Sequence, residues 1–509
     1  MTPPRFSYRS AGLLVLALAV GALAAADLSV TALHPGAEFK RLLEGVLSPA
    51  FGAVDRGSVV WTVAFAVLGV TSGAAGGLAM AVCFNRFRVI RVLAAFLRSV
   101  HELFWALLLL QVTGLSPATG ILAIALPYMG IFAKVFAEMI EEADPRAEQG
   151  VPSGASALSR FAFARLPVVA GAMKTYLLYR FECGMRSTLV LGFVGLPTIG
   201  FQLESHFRQG RYPEAVALLL VFYALIGTRR LWLRASTLPW LVVASVFALP
   251  HAAGHGSTWN NMQRFFGHDI VPRPLRHGGL DTLETWSALA TWAGRIVAGQ
   301  ILPGVIETLV LAQIALAAAA LIALLCYPLV SRRFLGRVGH YLGRALLVVA
   351  RSTPEYMVAY LLLQIMGPSM LPAIISLSLH NGAIIAYLLG RHSDELGRRA
   401  DAPTGVNLYF YETTPRLFGQ FLAYVLYRWE LILRESAIFG ILGVRTLGYY
   451  VDAAVSELRL DTAVALLIGV AALTLAVDAL SRGLRRSLKI DALQTRLSAD
   501  FSPAPALAR

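Results

Sequence analysis

Stretches of predominantly apolar sequence recur along this chain at 11–28, 58–84, 92–112, 118–140, 183–202, 214–229, 238–252, 302–330, 345–366, 370–390, 431–447 and 462–481. Crossing about 30 Å of hydrocarbon takes about 20 apolar residues at 1.5 Å each, so runs of this kind leave few alternatives to membrane helices. An isolated strand could not satisfy its backbone in lipid. Composition agrees: 57% of residues are hydrophobic and 15% charged, with mean hydropathy +0.64, whereas a soluble domain carries roughly 25% charge. Twelve runs predict an all-α integral membrane protein of about twelve spans.

The runs fall into two matched sets. Tyr179-Arg180-Phe181-Glu182 is followed by Arg186, Gly192, Gly195 and Gly200; Tyr427-Arg428-Trp429-Glu430 is followed at the same spacings by Arg434, Gly440, Gly443 and Gly448. Upstream, Arg98-Ser99, Glu102, Gln111 and Gly114 are matched by Arg351-Ser352, Glu355, Gln364 and Gly367. The chain reads as a tandem duplication, 1–235 and 236–509. Six spans per copy keep both copies in one orientation, a parallel repeat about an axis along the membrane normal.

Arginine clusters set that orientation. Arg86, Arg88 and Arg91, then Arg229, Arg230 and Arg234, then Arg332, Arg333, Arg337 and Arg344, then Arg482, Arg485, Arg486 and Lys489 all fall on one face if both termini are cytoplasmic. The net charge of +14 is thereby positive-inside anchoring, flanking spans rather than forming the stripe a nucleic-acid binder would show. Residues 1–26 read either as an uncleaved anchor, which keeps the six-plus-six count, or as a cleavable secretion signal. Cys83, Cys183 and Cys326 have no spacing that suits a disulfide framework or zinc.

Two cytoplasmic loops, 141–178 and 391–426, are long, and each runs into a Tyr-Arg-aromatic-Glu motif. In the first, Glu148, Gly154 and Leu166-Pro167 suggest a helical turn, a glycine break and a second amphipathic helix whose register the proline ends. With the Arg98-Ser99 to Leu107 segment and the Tyr-Arg-Phe-Glu motif, this chain resembles the permeases of phosphonate ATP-binding-cassette importers. The resemblance is closest over 90–230 and weaker over 345–485.

It implies two permease copies fused in one chain and a bacterial inner-membrane location. Segments 141–170 and 391–418 would be coupling loops that dock on two copies of a separate cassette ATPase, with Glu148, Gly154, Leu166, Pro167, Gly405 and Pro415 as their markers. A periplasmic phosphonate-type binding protein would deliver substrate to the outer face, where 253–300 offers His255, Trp259, Phe265, Phe266, His268 and His277. The second loop departs from the pattern: Arg399 stands at the glutamate position, and Gly405 to Pro415 is shorter than Gly154 to Pro167. The two loops are therefore expected to couple unequally.

No glycine-lysine pair exists, so no G-x₄-G-K-[ST] phosphate loop is encoded. ATP with magnesium belongs to partner subunits, and the chain carries no catalytic or metal-binding pattern of its own. Candidates for the translocation path are the ionisable residues of the spans, Arg180, Glu182, Arg186, Arg428, Glu430, Arg434, Glu102 and Glu355. Glu182 with Arg186, and Glu430 with Arg434, stand four apart on one helical face and can neutralise each other. Arg186 and Arg434 either snorkel or offer bidentate contacts to an oxyanion; Glu102 and Glu355 are expected to meet arginines of neighbouring helices. Gly192, Gly195, Gly440 and Gly443 serve close helix crossing or a gate. A twelve-helix secondary transporter of a small anion is the competing class, although the loops 85–91 and 331–344 lack the signature of that plan.

Overall fold

The structure, a computed structural model, describes residues 7–144, 146, 150–152, 154–249, 258–277, 282–397, 399 and 401–488. Among these no strand occurs; every regular element is helical. The described residues divide into two compact units, one running Leu42–Val271, the other combining those up to Arg41 with those from Pro272 onward.

In the Leu42–Val271 unit the central pair is Arg56–Cys83 against Pro117–Glu141. Gly69, Gly73 and Gly77 recur at steps of four along one face. A Cβ on them would stand 2.7 Å from Ile124 Cβ, 2.8 Å from Tyr128 Cβ and 2.4 Å from Phe132 Cβ, closer than real side chains approach. Without a hydrophobic drive between helices in lipid, such backbone proximity is how they adhere. Leu238–Ala248 joins this pair, with Trp61 Nε1 donating to Ala248 O at 3.0 Å.

The other unit repeats the plan with Leu302–Cys326 against Met370–Glu395. Here the helix Tyr8–Leu23 is seated beside Leu302–Cys326, where Gln313 Nε2 donates to Val15 O at 2.9 Å. The segment after it is pinned as well: Thr31 N donates to Met366 O at 2.9 Å and Met370 N to Asp27 O at 3.0 Å. The division thus differs from one drawn at 235/236. Tyr8–Leu23 keeps company with the second motif and Leu238–Ala248 with the first.

Among the described residues six helices are long and apolar enough to cross a membrane: Arg56–Cys83, Pro117–Glu141, Phe161–Val194, Leu283–Leu329, Met370–Glu395 and Leu460–Ser487. The runs 92–112 and 345–366, expected as straight spans, are instead bent pairs. Arg88–Ser99 meets Glu102–Thr113 at 98°, and Arg337–Ser352 meets Glu355–Met366 at 87°. Extended backbone at Val100–His101 and at Thr353–Pro354 interrupts each ladder. A 12-residue leg covers only about 18 Å, so neither Glu102–Thr113 nor Glu355–Met366 crosses alone. Counting each bent pair as one gives eight; Tyr8–Leu23, Tyr212–Gly227 and Leu238–Ala248 are apolar but shorter.

Candidate translocation and coupling sites

The motif helix of the Leu42–Val271 unit begins in the long loop. Ala157–Arg160 passes through one wide turn, in which Leu166 N bonds back to Phe161 O, and continues as Leu166–Val190. Pro167 does not end the register as expected; it occupies the start of the following helix, where a missing N–H costs nothing. The stretch Phe161–Val194 is 34 residues, roughly 50 Å, longer than the hydrocarbon is thick. One continuous rod therefore joins loop to span.

The second copy repeats the wide turn, with Thr414 N bonded to Tyr409 O, ahead of Thr414–Ser436. The run 431–447 is thus the tail of a helix that starts earlier and then breaks. Four residues before the proline, each copy presents an aromatic ring to solvent: Phe163 is 80% and Tyr411 78% exposed. Gly154 and Gly405 lie in exposed turns, Gly405 with φ +64°. Glu148 lies outside the described residues, as does His255.

The second loop is held from within. The buried Glu412 carboxylate accepts from Arg416 and stands 3.9 Å from Arg399 Nη1. Arg416 also donates to Gly397 O at 3.0 Å. Tyr409 stacks on Tyr327 at 5.4 Å and donates to Leu324 O at 3.1 Å; burial pushes its phenol above the ordinary value, so the proton stays. At the position of Glu412 the first copy has Ala164.

Within the spans, the first unit assembles a proton-ordered chain around its bend. Ser187 Oγ donates to Glu102 Oε1 at 2.7 Å, leaving Tyr128 OH to donate to Ser187 across 3.4 Å. His101 Nδ1 accepts from Leu103 N at 3.2 Å, which places the ring proton on Nε2, 3.4 Å from Glu102 Oε2. Glu102 thus meets a histidine and a serine, partners that the arginine expectation did not include. Arg180 Nε donates to Tyr176 OH at 2.8 Å with its guanidinium over the Tyr176 ring.

Glu182 does not neutralise Arg186. Its partner is Arg229, at 2.7 Å, which belongs to the short helix after Tyr212–Gly227. Arg186 Nη2 reaches Cys183 Sγ at 3.6 Å.

In the second unit Asn381 takes the central place. Its Nδ2 donates to Glu435 Oε2 at 3.0 Å and its Oδ1 accepts from Arg428 Nη1 at 3.3 Å. His380 Nδ1 donates to Thr353 O at 2.9 Å, leaving Nε2 3.8 Å from Glu355 Oε2. Arg351 stacks on Tyr387, 4.2 Å from the ring centroid. Glu430 and Arg434 share Thr414–Ser436 with Arg428. Ser187 and Glu435, absent from the sequence candidates, occupy equivalent positions one residue after the motif arginine; aligning the two copies residue by residue signals them.

The glycines close a tight reversal. A Cβ on Gly192 would lie 2.1 Å from Phe201 N, and one on Gly440 2.0 Å from Tyr449 N. Gly195 and Gly443 adopt φ +90° and +89°, ending each motif helix where other residues would be strained. They form a break rather than a helix crossing.

No family model matches the chain, and no solved structure does. Among curated proteins, the phosphate-import permease protein PhnE of Mycolicibacterium smegmatis is 25% identical across 91% of this chain and 92% of its own length. The phosphite transport system permease protein PtxC of Stutzerimonas stutzeri is 36% identical over 28% of this chain and 51% of its own. A cryptic phosphonate transport system permease protein of Escherichia coli, PhnE2, is 30% identical over 21% of this chain and 88% of its own length. The chain belongs to the phosphonate-transport permease family. As a permease it is a multi-pass, all-helical transport component, and the long alignment with the mycobacterial protein takes in both motif-bearing copies.

Proposed function

We propose that this permease forms both membrane halves of an importer for a phosphorus oxyanion, whether phosphonate, phosphite or phosphate, in a bacterial inner membrane with both termini cytoplasmic. One observation carries the reading: each copy presents an exposed ring, Phe163 or Tyr411, on a wide turn that runs without interruption into a charged motif helix. A push on such a turn is transmitted along the rod to the break at Gly195 or Gly443. Two copies of a separate cassette ATPase would dock on 141–170 and 391–418 and bind the ATP with magnesium; a periplasmic binding protein would supply substrate to the outer face. Arg180, Arg186, Arg428 and Arg434, with Glu102 and Glu355 set among their neighbours, would border the path.

Because Glu412 is engaged by Arg416 and Arg399, the second loop has less freedom to reshape on docking, which supports unequal coupling of the two copies. Reconstitution in liposomes with the ATPase and binding protein tests the whole reading. ATP-dependent accumulation of labelled phosphite is expected. Accumulation driven by an ion gradient, without ATPase or binding protein, would instead establish a secondary transporter.

A further inference from the structure

Beyond the Gly195 break, Ile199–Arg208 carries Thr198 at its N-cap and Gln202 and His206 at steps of four, so the three share one face. Each has a buried polar atom without a hydrogen-bond partner: Thr198 Oγ1, Gln202 Oε1 and His206 Nδ1. Native interiors pair nearly all such atoms, and an exception calls for water, an ion or a role. The neighbouring polar groups are served. Ile199 N donates to Thr62 Oγ1 at 2.9 Å, Arg208 pairs with Glu204 at 2.7 Å, and Gln209 Nε2 donates to Ser205 Oγ at 2.9 Å. The unmet capacity is confined to one stripe.

The equivalent helix of the other unit, Leu447–Ser456, keeps only the first member. Thr446 Oγ1 again lacks a partner, but Tyr450 and Ala454 stand where Gln202 and His206 would be. Tyr450 lies against Gly304, whose added Cβ would be 3.1 Å from Tyr450 Cδ2. That position is filled by packing, and Tyr450 OH is not one of the buried atoms that lack a partner.

We infer that Thr198, Gln202 and His206 form a hydrated contact track for the passing oxyanion, and that the Leu42–Val271 unit alone supplies it. This rests on the importer reading above. All three groups can turn a donor toward P–O⁻: a hydroxyl, an amide NH₂ by rotation, an imidazole N–H by choice of tautomer. The track's own groups are weaker anchors than an arginine fork, which suits transit, since a conducting site must also release what it holds. The positive end of Ile199–Arg208 lies at the Thr198 end and favours an anion there.

The test uses the full chain assembled with its ATPase and binding protein, with Cys83, Cys183 and Cys326 replaced by serine. Gln202→Cys and His206→Cys are expected to react with a small water-soluble methanethiosulfonate, and phosphite under turnover is expected to slow that reaction. Leu203→Cys, at a fully buried position off the stripe, is expected to stay inert. Separately, Gln202→Leu is expected to raise the phosphite KM about tenfold, the loss of one hydrogen bond to a charged group, while ATP hydrolysis by the assembled complex persists. Cysteines at 202 and 206 as inert as at 203, labelling indifferent to phosphite, or an unchanged KM would overturn the track. ATP-driven uptake by the unsubstituted chain, measured in parallel, separates the two claims: its absence sinks the importer reading, and its presence beside inert cysteines sinks the track alone.

Discussion

The central helix pairs of the two units do one job with opposite residue choices. In the Leu42–Val271 unit, Gly69, Gly73 and Gly77 strip one helix to its backbone so that Ile124, Tyr128 and Phe132 can lie on it. At the matching positions the other unit has Ala315, Ala319 and Ala323, all fully buried. The bulk opposite is reduced: Asn381 stands where the first unit has Tyr128, and Gly382 follows it, with an added Cβ only 2.8 Å from Ile322 Cβ. Close approach is thus reached by thinning either partner. In the second unit the thinning also brings a polar side chain to the seam, where Asn381 joins Glu435 to Arg428.

The comparison breaks most readily at the glycines. Gly77→Val forces branched carbons into Phe132 and is expected to cost about 3 kcal/mol, read as lost thermal stability of the purified chain and reduced accumulation in membranes. An unchanged melting temperature would mean that the seam is loose. The loops should also separate. Truncating Phe163 to alanine is expected to weaken capture of the ATPase by about 2 kcal/mol, as for a central aromatic anchor, with Tyr411→Ala costing less because its loop is already fixed from within. Equal losses in a pull-down titration would remove the asymmetry.

At the second seam, Asn381→Leu strands Glu435 and Arg428 and is expected to destabilise by about 1–2 kcal/mol. Tyr128→Phe, which removes a bond already stretched to 3.4 Å, should cost under about 1 kcal/mol. Ala319→Gly is of similar size, up to about 1 kcal/mol from helix propensity alone. A loss as large as that of Gly77→Val would show that the second seam depends on its methyl groups.

Much of this architecture could be read beforehand. Apolar runs forced helices, and the exact repetition of the glycine spacing marked positions that read as close helix crossing or a gate, where steric crowding at Gly192 and Gly440 in fact makes a break. What escaped the sequence was decided by distant neighbours. The bends at Val100–His101 and Thr353–Pro354 coincide with the polar clusters 98–102 and 351–355, the second holding Pro354, which read as charged residues within a span rather than as a break. Glu182 has a charge partner four residues away in Arg186, yet bonds Arg229 because folding brings the end of Tyr212–Gly227 beside the motif helix. The role of Ser187 was invisible because a serine in a span is unremarkable until Glu102 is found 2.7 Å from it.

The seating of Tyr8–Leu23 beside Leu302–Cys326 bears on how the molecule is made. Tyr8–Leu23 leaves the ribosome well before Leu302–Cys326, on which it comes to rest, with all of Leu42–Val271 synthesised in the interval. It must wait in lipid, or be minded there by the insertion machinery, until translation delivers its mate.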